Sequence, residues 1–309
     1  MFIPSILNVV EDIKETTITA PRLIRNNDCL RSWFQKDQTF LVPKANIFIS
    51  CKIPLAIATV GNTLKTRVYT VMVMDILEEY SYNPKLAGLK YSLSPSSIGL
   101  DIHFSGYNDK LHLLVEKVLA TMRKLEYKLD RFEVVKKKLL EDMENWHYKQ
   151  PFNQTWDLTL LLNSERGFNK DELFAELHQL TADDFSLYYP QLLKQMKIEM
   201  LTCGNVCKED VLRLTNLVES TLEPSVRKRA EWPISRSLIF PPGGDFVYRQ
   251  TLEDPENVNN CIEYFLYIGD RAIRPLQAKV LLFHHMAREP AFDKLQTTER
   301  LGYIIYTHV

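Results

Sequence analysis

The residues of this chain that could hold a metal or arm a nucleophile are seven histidines and five cysteines, and their spacing argues against most of that chemistry. His284-His285 with Glu289 is the one histidine-rich cluster. A zinc-binding helix needs two ligands three or four residues apart, so that both converge on one ion. Neighbouring residues on a helix point about 100° apart. His285 and Glu289 share a face at i,i+4 but have no further ligand nearby, and they read as polar residues of a helix surface. His103 and His112 flank a turn at Gly106, and His147 follows Trp146; each stands isolated, at a surface or core edge rather than as a general base.

Cys29, Cys51, Cys203, Cys207 and Cys261 are scattered and odd in number, the pattern of reduced thiols in apolar surroundings. Cys203 and Cys207 have three residues between them and no second pair to complete a zinc site. No Gly-x-Ser-x-Gly elbow, phosphate-cradling glycine loop or Cys–His pairing occurs. The expectation is a chain with no catalytic residue and no metal ligand of its own. What remains is a set of aromatics, Phe292, Tyr303 and Tyr306, which either pack in a sheet or help grip an extended peptide by strand addition.

Residues 23–43 alternate aromatic and polar side chains, predicting a strand, a turn near Lys36-Asp37 and a second short strand. Asn46 to Ile53 is β-branched and aromatic, a third strand. Asn62 to Tyr80 places Leu64, Val68, Val71, Met72, Ile76 and Tyr80 on one helical stripe. A hairpin follows, turning at Ser94-Pro95-Ser96-Ser97, with Ile98, Leu100, Ile102 and Phe104 on one face. Asn108 or Asp109 is placed to cap the next helix, and Asp130 to Glu133 has the form of a capping box. Pro151 opens another helix. Shorter helices near Lys170–Gln179 and Thr181–Leu193 precede a strand, Ile198 to Cys203, and a helix ending near Leu222. This order predicts an α+β fold with helices covering one face of a mixed, largely antiparallel sheet.

The architecture starts twice. Strand Asn46–Ile53, helix and Leu86-Ala87-Gly88-Leu89-Lys90-Tyr91 are echoed by strand Asn260–Ile268, helix Pro275–Ala287 and Glu299-Arg300-Leu301-Gly302-Tyr303-Ile304. A repeat at a fixed offset points to a duplicated unit, here with the second copy truncated. Between them, residues 224–244 mix Arg227, Lys228, Arg229 and Arg236 with prolines and glycines, a solvated connector or an anion contact. With 309 residues and a net charge of −1, the chain suits about two domains and lacks the basic surplus of a nucleic-acid binder. No apolar run approaches the roughly 20 residues needed to span a bilayer.

Several segments fall in a recognisable order: Trp33-Phe34-Gln35-Lys36-Asp37, Leu86-Ala87-Gly88-Leu89, Gly106-Tyr107-Asn108-Asp109-Lys110 and Gly204-Asn205, then Asn257 to Cys261, Glu289 to Leu295, and Leu301-Gly302-Tyr303. Together they resemble the insulin-degrading enzyme branch of the pitrilysin family, the inverzincin zinc metalloendopeptidases, and in particular its fungal members that process a mating pheromone. The resemblance covers essentially the whole chain. It implies a clamshell of four homologous α+β domains, of which residues 1–223 would be the third, 224–244 a linker, and 245–309 the opening of the fourth. The family's His-x-x-Glu-His motif is absent here, so zinc is expected only in the missing catalytic half.

By the same resemblance Tyr303 matches a final-domain tyrosine that reaches the substrate, and Phe292 an aromatic opening that motif. Gln296 stands where relatives usually carry arginine, which removes a fixed charge and a bidentate donor; Arg300, four residues on, is its partial substitute. The implied function is a non-catalytic substrate-chamber segment, with a peptide substrate and the catalytic N-terminal half as partners and a homodimer contact left open. The alternatives are a stand-alone, non-peptidase scaffold of the same fold, or a truncated product with no role. The expected compartment is the cytoplasm, with the mitochondrion as alternative, and no nucleic acid or membrane is involved. The purified chain should carry no stoichiometric zinc by metal analysis and show no chelator-sensitive peptide hydrolysis; either result would contradict this reading.

Overall fold

The computed structural model describes residues 2–9, 20–225 and 232–309; the basic run Arg227-Lys228-Arg229 lies outside them. The strands are β1 (Arg22–Asn26), β2 (Leu30–Lys36), β3 (Lys44–Lys52), β4 (Lys90–Ser96), β5 (Gly99–Tyr107) and β6 (Lys197–Gly204). They form one sheet in the order β1-β2-β6-β3-β5-β4. Every neighbouring pair is antiparallel except β2 with β6. Alternation gives the sheet two unlike faces: Ala45, Ile47, Ile49 and Cys51 of β3 are buried, while Asn46, Phe48, Ser50 and Lys52 point the other way.

The helices are α1 (Val60–Leu86), α2 (Asn108–Arg123), α3 (Leu129–Glu144), α4 (Pro151–Leu162), α5 (Lys170–Gln179), α6 (Ala182–Leu192), α7 (Lys208–Leu222) and α8 (Arg274–Phe292). Three of them lie on the apolar sheet face: α1 against β4, α2 against β3 and β5, and α7 against β2. An outer layer of α3, α5 and α6 packs on α1. The predicted stripe of α1 reaches the core through Leu64, Val68 and Met72, whereas Tyr69, Val73 and Leu77 sit deeper than Val71, Ile76 and Tyr80. The fully buried Tyr69 hydroxyl donates to the Met122 carbonyl at 2.5 Å, so no polar group is stranded there.

Several local expectations are corrected. The first hairpin turns at Asn27-Asp28-Cys29, where Asn27 Oδ1 accepts the amides of Cys29 and Leu30. Lys36-Asp37 ends β2 without starting a strand: Asp37 Oδ1 accepts from Thr39 and Phe40 and keeps the chain turning. The second hairpin turns at Ser97-Ile98 rather than Ser94 to Ser97. Neither Asn108 nor Asp109 caps α2; Tyr107 holds that position, and Asp109 Oδ2 instead accepts from Ser5 N and Oγ, both at 2.9 Å. Helix α3 starts earlier than Asp130, behind Lys128, and carries no capping box. The boxes lie at Asn169–Glu172, Thr181–Asp184 and Cys207–Asp210.

The largest correction concerns the strand expected at Asn260–Ile268: among the described residues, 245–273 contain no strand. A strand exists through ladder bonds to its neighbours, and no other described segment supplies them here. Ile262 and Tyr264 are accordingly 93% and 82% exposed. The predicted helix is present and longer, as α8, with no buried residue. Side-chain links hold this region to the body: Thr159 Oγ1 donates to Glu263 at 2.8 Å, and His147, expected to be isolated, sits 3.1 Å from Glu253 and 3.7 Å from Asp171. No described helix is long and apolar enough to cross a membrane.

Gly99 lets β5 close tightly on β3. Its φ is +149°, and a Cβ there would stand 2.1 Å from the Cys51 carbonyl oxygen. Gly99→Ala should therefore cost about 1–3 kcal/mol or more in urea denaturation, whereas Gly302→Ala, which meets nothing within 4 Å, should change stability by no more than about 0.5 kcal/mol.

Candidate functional site

The uncovered sheet face gathers the polar and aromatic positions of five strands, and register sorts them into rows. In one row Ser92, His103, Phe48, Leu201 and Trp33 are successive cross-strand partners; in the next, Ser94, Asp101, Ser50, Glu199 and Arg31 are. All of them but the outer pair, Trp33 and Arg31, line an open depression of ≈ 600 Å³. Each strand supplies only two of these positions, and pairing assembles them into a set.

The upper row is apolar and aromatic. Phe48 and His103 stack with centroids 4.3 Å apart and planes 5° off parallel, and Asn46 Oδ1 lies 3.2 Å from His103 Nε2. Partial burial pushes the His103 imidazole below its ordinary 6.5. In the lower row Glu199 accepts from Lys52 Nζ at 3.1 Å and from Trp33 Nε1 at 3.4 Å. Burial acts to raise this carboxyl, but the Lys52 hydrogen bond and charge, the Trp33 donor and Arg31 outweigh it, and the group sits below its ordinary 4.5. Ser50 Oγ donates to Asp101 Oδ1 at 2.7 Å. That bond points the serine proton at a carboxylate rather than at His103, so the three side chains form no relay for acyl transfer. The face sets an aromatic shelf, Phe48 and His103, beside charged edges, Lys52, Glu199 and Asp101.

The residues singled out from the sequence lie elsewhere. Phe292 ends α8 and is 46% exposed, and Gln296 sits in the π-helical turn Asp293–Thr298 that continues it. The Gln296 Oε1 is buried without a hydrogen-bond partner. Arg300 adopts a left-handed φ of 54°, which turns the chain out of the helix, and Tyr303 stands 98% exposed beyond it. Among the described residues no hydrogen bond joins Phe292, Gln296, Arg300 and Tyr303. His284 Nε2 lies 2.9 Å from the Thr307 carbonyl and is engaged in tying the last residues back along α8. Among the described residues no three His, Cys, Asp or Glu side chains approach closely enough to hold a metal, so the donors present do not fit a zinc site.

Comparison with known proteins places this geometry. Residues 1–176 match the family model of the middle or third domain of peptidase M16. The candidate zinc protease mug138 of Schizosaccharomyces pombe is 34% identical over 308 residues, covering 100% of this chain and 32% of that protein. Insulin-degrading enzyme of Bos taurus is 31% identical over 310 residues, covering 99% of this chain and 30% of that protein. The chain thus spans about a third of the length of the curated relatives it matches. The crystal structure of pitrilysin shares the fold, with a TM-score of 0.67 at 20% identity, covering 72% of this chain and 24% of that one.

Both shifted groups of the open face bind their proton more readily in the unfolded chain, so each adds stability that grows with pH. The His103 contribution is complete above about 6.5 and is lost as pH falls through its lower folded value. That of Glu199 is complete above about 4.5 and is lost below it. Urea midpoints should fall on acidification from about pH 7 to 4, His103→Gln flattening the upper part of the fall and Glu199→Gln the lower; unchanged profiles in both variants would contradict the geometry.

Proposed function

The chain belongs to the M16 peptidases, the pitrilysin family, in the branch of insulin-degrading enzyme, and from that premise we propose that it is a non-catalytic wall of the substrate chamber in a zinc metalloendopeptidase. The observation that carries this reading is the match of residues 1–176 to the middle domain, coupled to a sheet whose second face is left open and lined for contact. On this reading residues 1–223 are one complete domain, 224–244 a linker and 245–309 the opening of a homologous domain. The zinc and the base that activates its water belong to a part of the enzyme beyond these residues, and the partners are that part and a peptide.

The chain's own contribution is enclosure and orientation. Tyr303, free of intramolecular packing, is assigned to reach the bound peptide, with Phe292 as an apolar contact. Gln296 is assigned the position where the family resemblance implies an arginine, so a neutral amide replaces a charged fork, with Arg300 as the nearby cation. Five free cysteines suit a reducing compartment, the cytoplasm or mitochondrion.

The test is complementation. Co-expressed with the zinc-bearing N-terminal half, the chain should restore hydrolysis of a fluorogenic peptide, and Tyr303→Ala should lower kcat/KM about tenfold, near 1.4 kcal/mol. Restoration that is indifferent to Tyr303→Ala would remove that residue's role. Hydrolysis by the chain alone, or no restoration by a folded complex, would overturn the assignment.

A further inference from the structure

The open sheet face carries an imbalance of charge that selects its occupant. Around Glu199 the carboxylate is answered by Lys52 and Trp33, with Arg31 as its cross-strand neighbour. Two strands away Asp101 is exposed, its Oδ1 takes only the Ser50 hydroxyl, and it makes no ion pair among the described residues. It is flanked in register by Ser50 and Ser94, neither of which brings a cation. The Phe48–His103 stack lies one pleat repeat along the same strands. Residues two apart on one strand face are separated by about 7 Å, the spacing between side chains two apart in an extended peptide.

We propose that this face is a subsite for an extended peptide segment of the form aromatic-x-basic, the aromatic ring lying on Phe48 and His103 and the lysine or arginine meeting Asp101. An aromatic ring gains from stacking on the exposed pair, which is already desolvated on its inner side. A cation meeting Asp101 gains a partner whose second oxygen is free for it, while an acidic residue there faces an unanswered carboxylate. The occupant is a peptide rather than a second copy of the chain because the face presents an uncompensated charge instead of a self-complementary apolar patch. The inference rests on the chamber-wall reading only for where the peptide comes from; the binding itself is a property of this chain.

The experiment uses the full 309-residue chain without the zinc-bearing half, so its failure and the failure of complementation are told apart. Fluorescein-labelled glycine–serine dodecapeptides with central Phe-Ser-Lys, Phe-Ser-Gln, Phe-Ser-Glu and Ser-Ser-Lys are titrated by anisotropy. The expected order is Phe-Ser-Lys tightest and Phe-Ser-Glu weakest. Asp101→Asn should weaken Phe-Ser-Lys about two- to fivefold and leave Phe-Ser-Gln unchanged, an effect that shrinks with salt. Phe48→Ser should weaken both phenylalanine peptides about fivefold. Thermal melting confirms that the variants are folded, and the near-isosteric Asp101→Asn keeps the test independent of Phe48. Equal affinity for the lysine and glutamate peptides, or no effect of Asp101→Asn, overturns the proposal. So does concentration-dependent self-association that Phe48→Ser abolishes, which would give the face to a second copy.

Discussion

The constraint on which this molecule depends is that, among the described residues, helices cover one face of its six-stranded sheet, and most of the sheet's apolar side chains go to that face. Alternation sends Ile47, Ile49, Ile102, Phe104, Ile198 and Met200 to the same side, and α1, α2 and α7 cover them. The hydrophobic gain of that burial holds the fold. The other face then receives the intervening positions and must be stable in water, which is why it carries hydrogen-bonded and charge-paired groups such as Lys52–Glu199 and Ser50–Asp101. The central pairings of β6 with β2 and β3 make this closure long-range, since Leu30 pairs Ile198 and Cys51 pairs the same residue. Core and open face are two outcomes of one period-2 pattern.

Where pattern alone determines structure, it was readable. Leu64, Val68 and Met72 of the α1 stripe, the presence of the β4–β5 hairpin, the proline start of α4 and the bounds of α5 follow from local spacing or local chemistry. Where a distant group competes, it was not. Asp109 looks like a cap for α2, but the Ser5 amide and hydroxyl reach it from the N-terminal segment, more than a hundred residues away. Asp37 looks like the turn of a hairpin and does turn the chain, yet β2 has its partners in β1 and β6 instead. The residues 260–268 have strand composition and lack a ladder, which shows that β propensity expresses itself only through neighbours.

The candidate site illustrates the same limit. His103 appears solitary along the chain and is in fact stacked on Phe48, fifty-five positions earlier, because β3 and β5 run antiparallel in one particular register. Charged residues at alternate positions of otherwise apolar strands, Lys52, Asp101 and Glu199, were the available signal that the second face would stay open. Family membership came from ordered segments spread over the chain, and the match of residues 1–176 to the middle-domain model agrees with them.

The central claim, a wall that touches peptide without cutting it, is tested most directly by hydroxyl-radical footprinting of Trp33, Phe48 and His103 in the chain assembled with the zinc-bearing half, before and after adding an uncleaved peptide. The account predicts that all three oxidise readily in the empty assembly and become protected when peptide is present. Protection before any peptide is added, meaning a face closed by another surface, or oxidation indifferent to peptide, would contradict it.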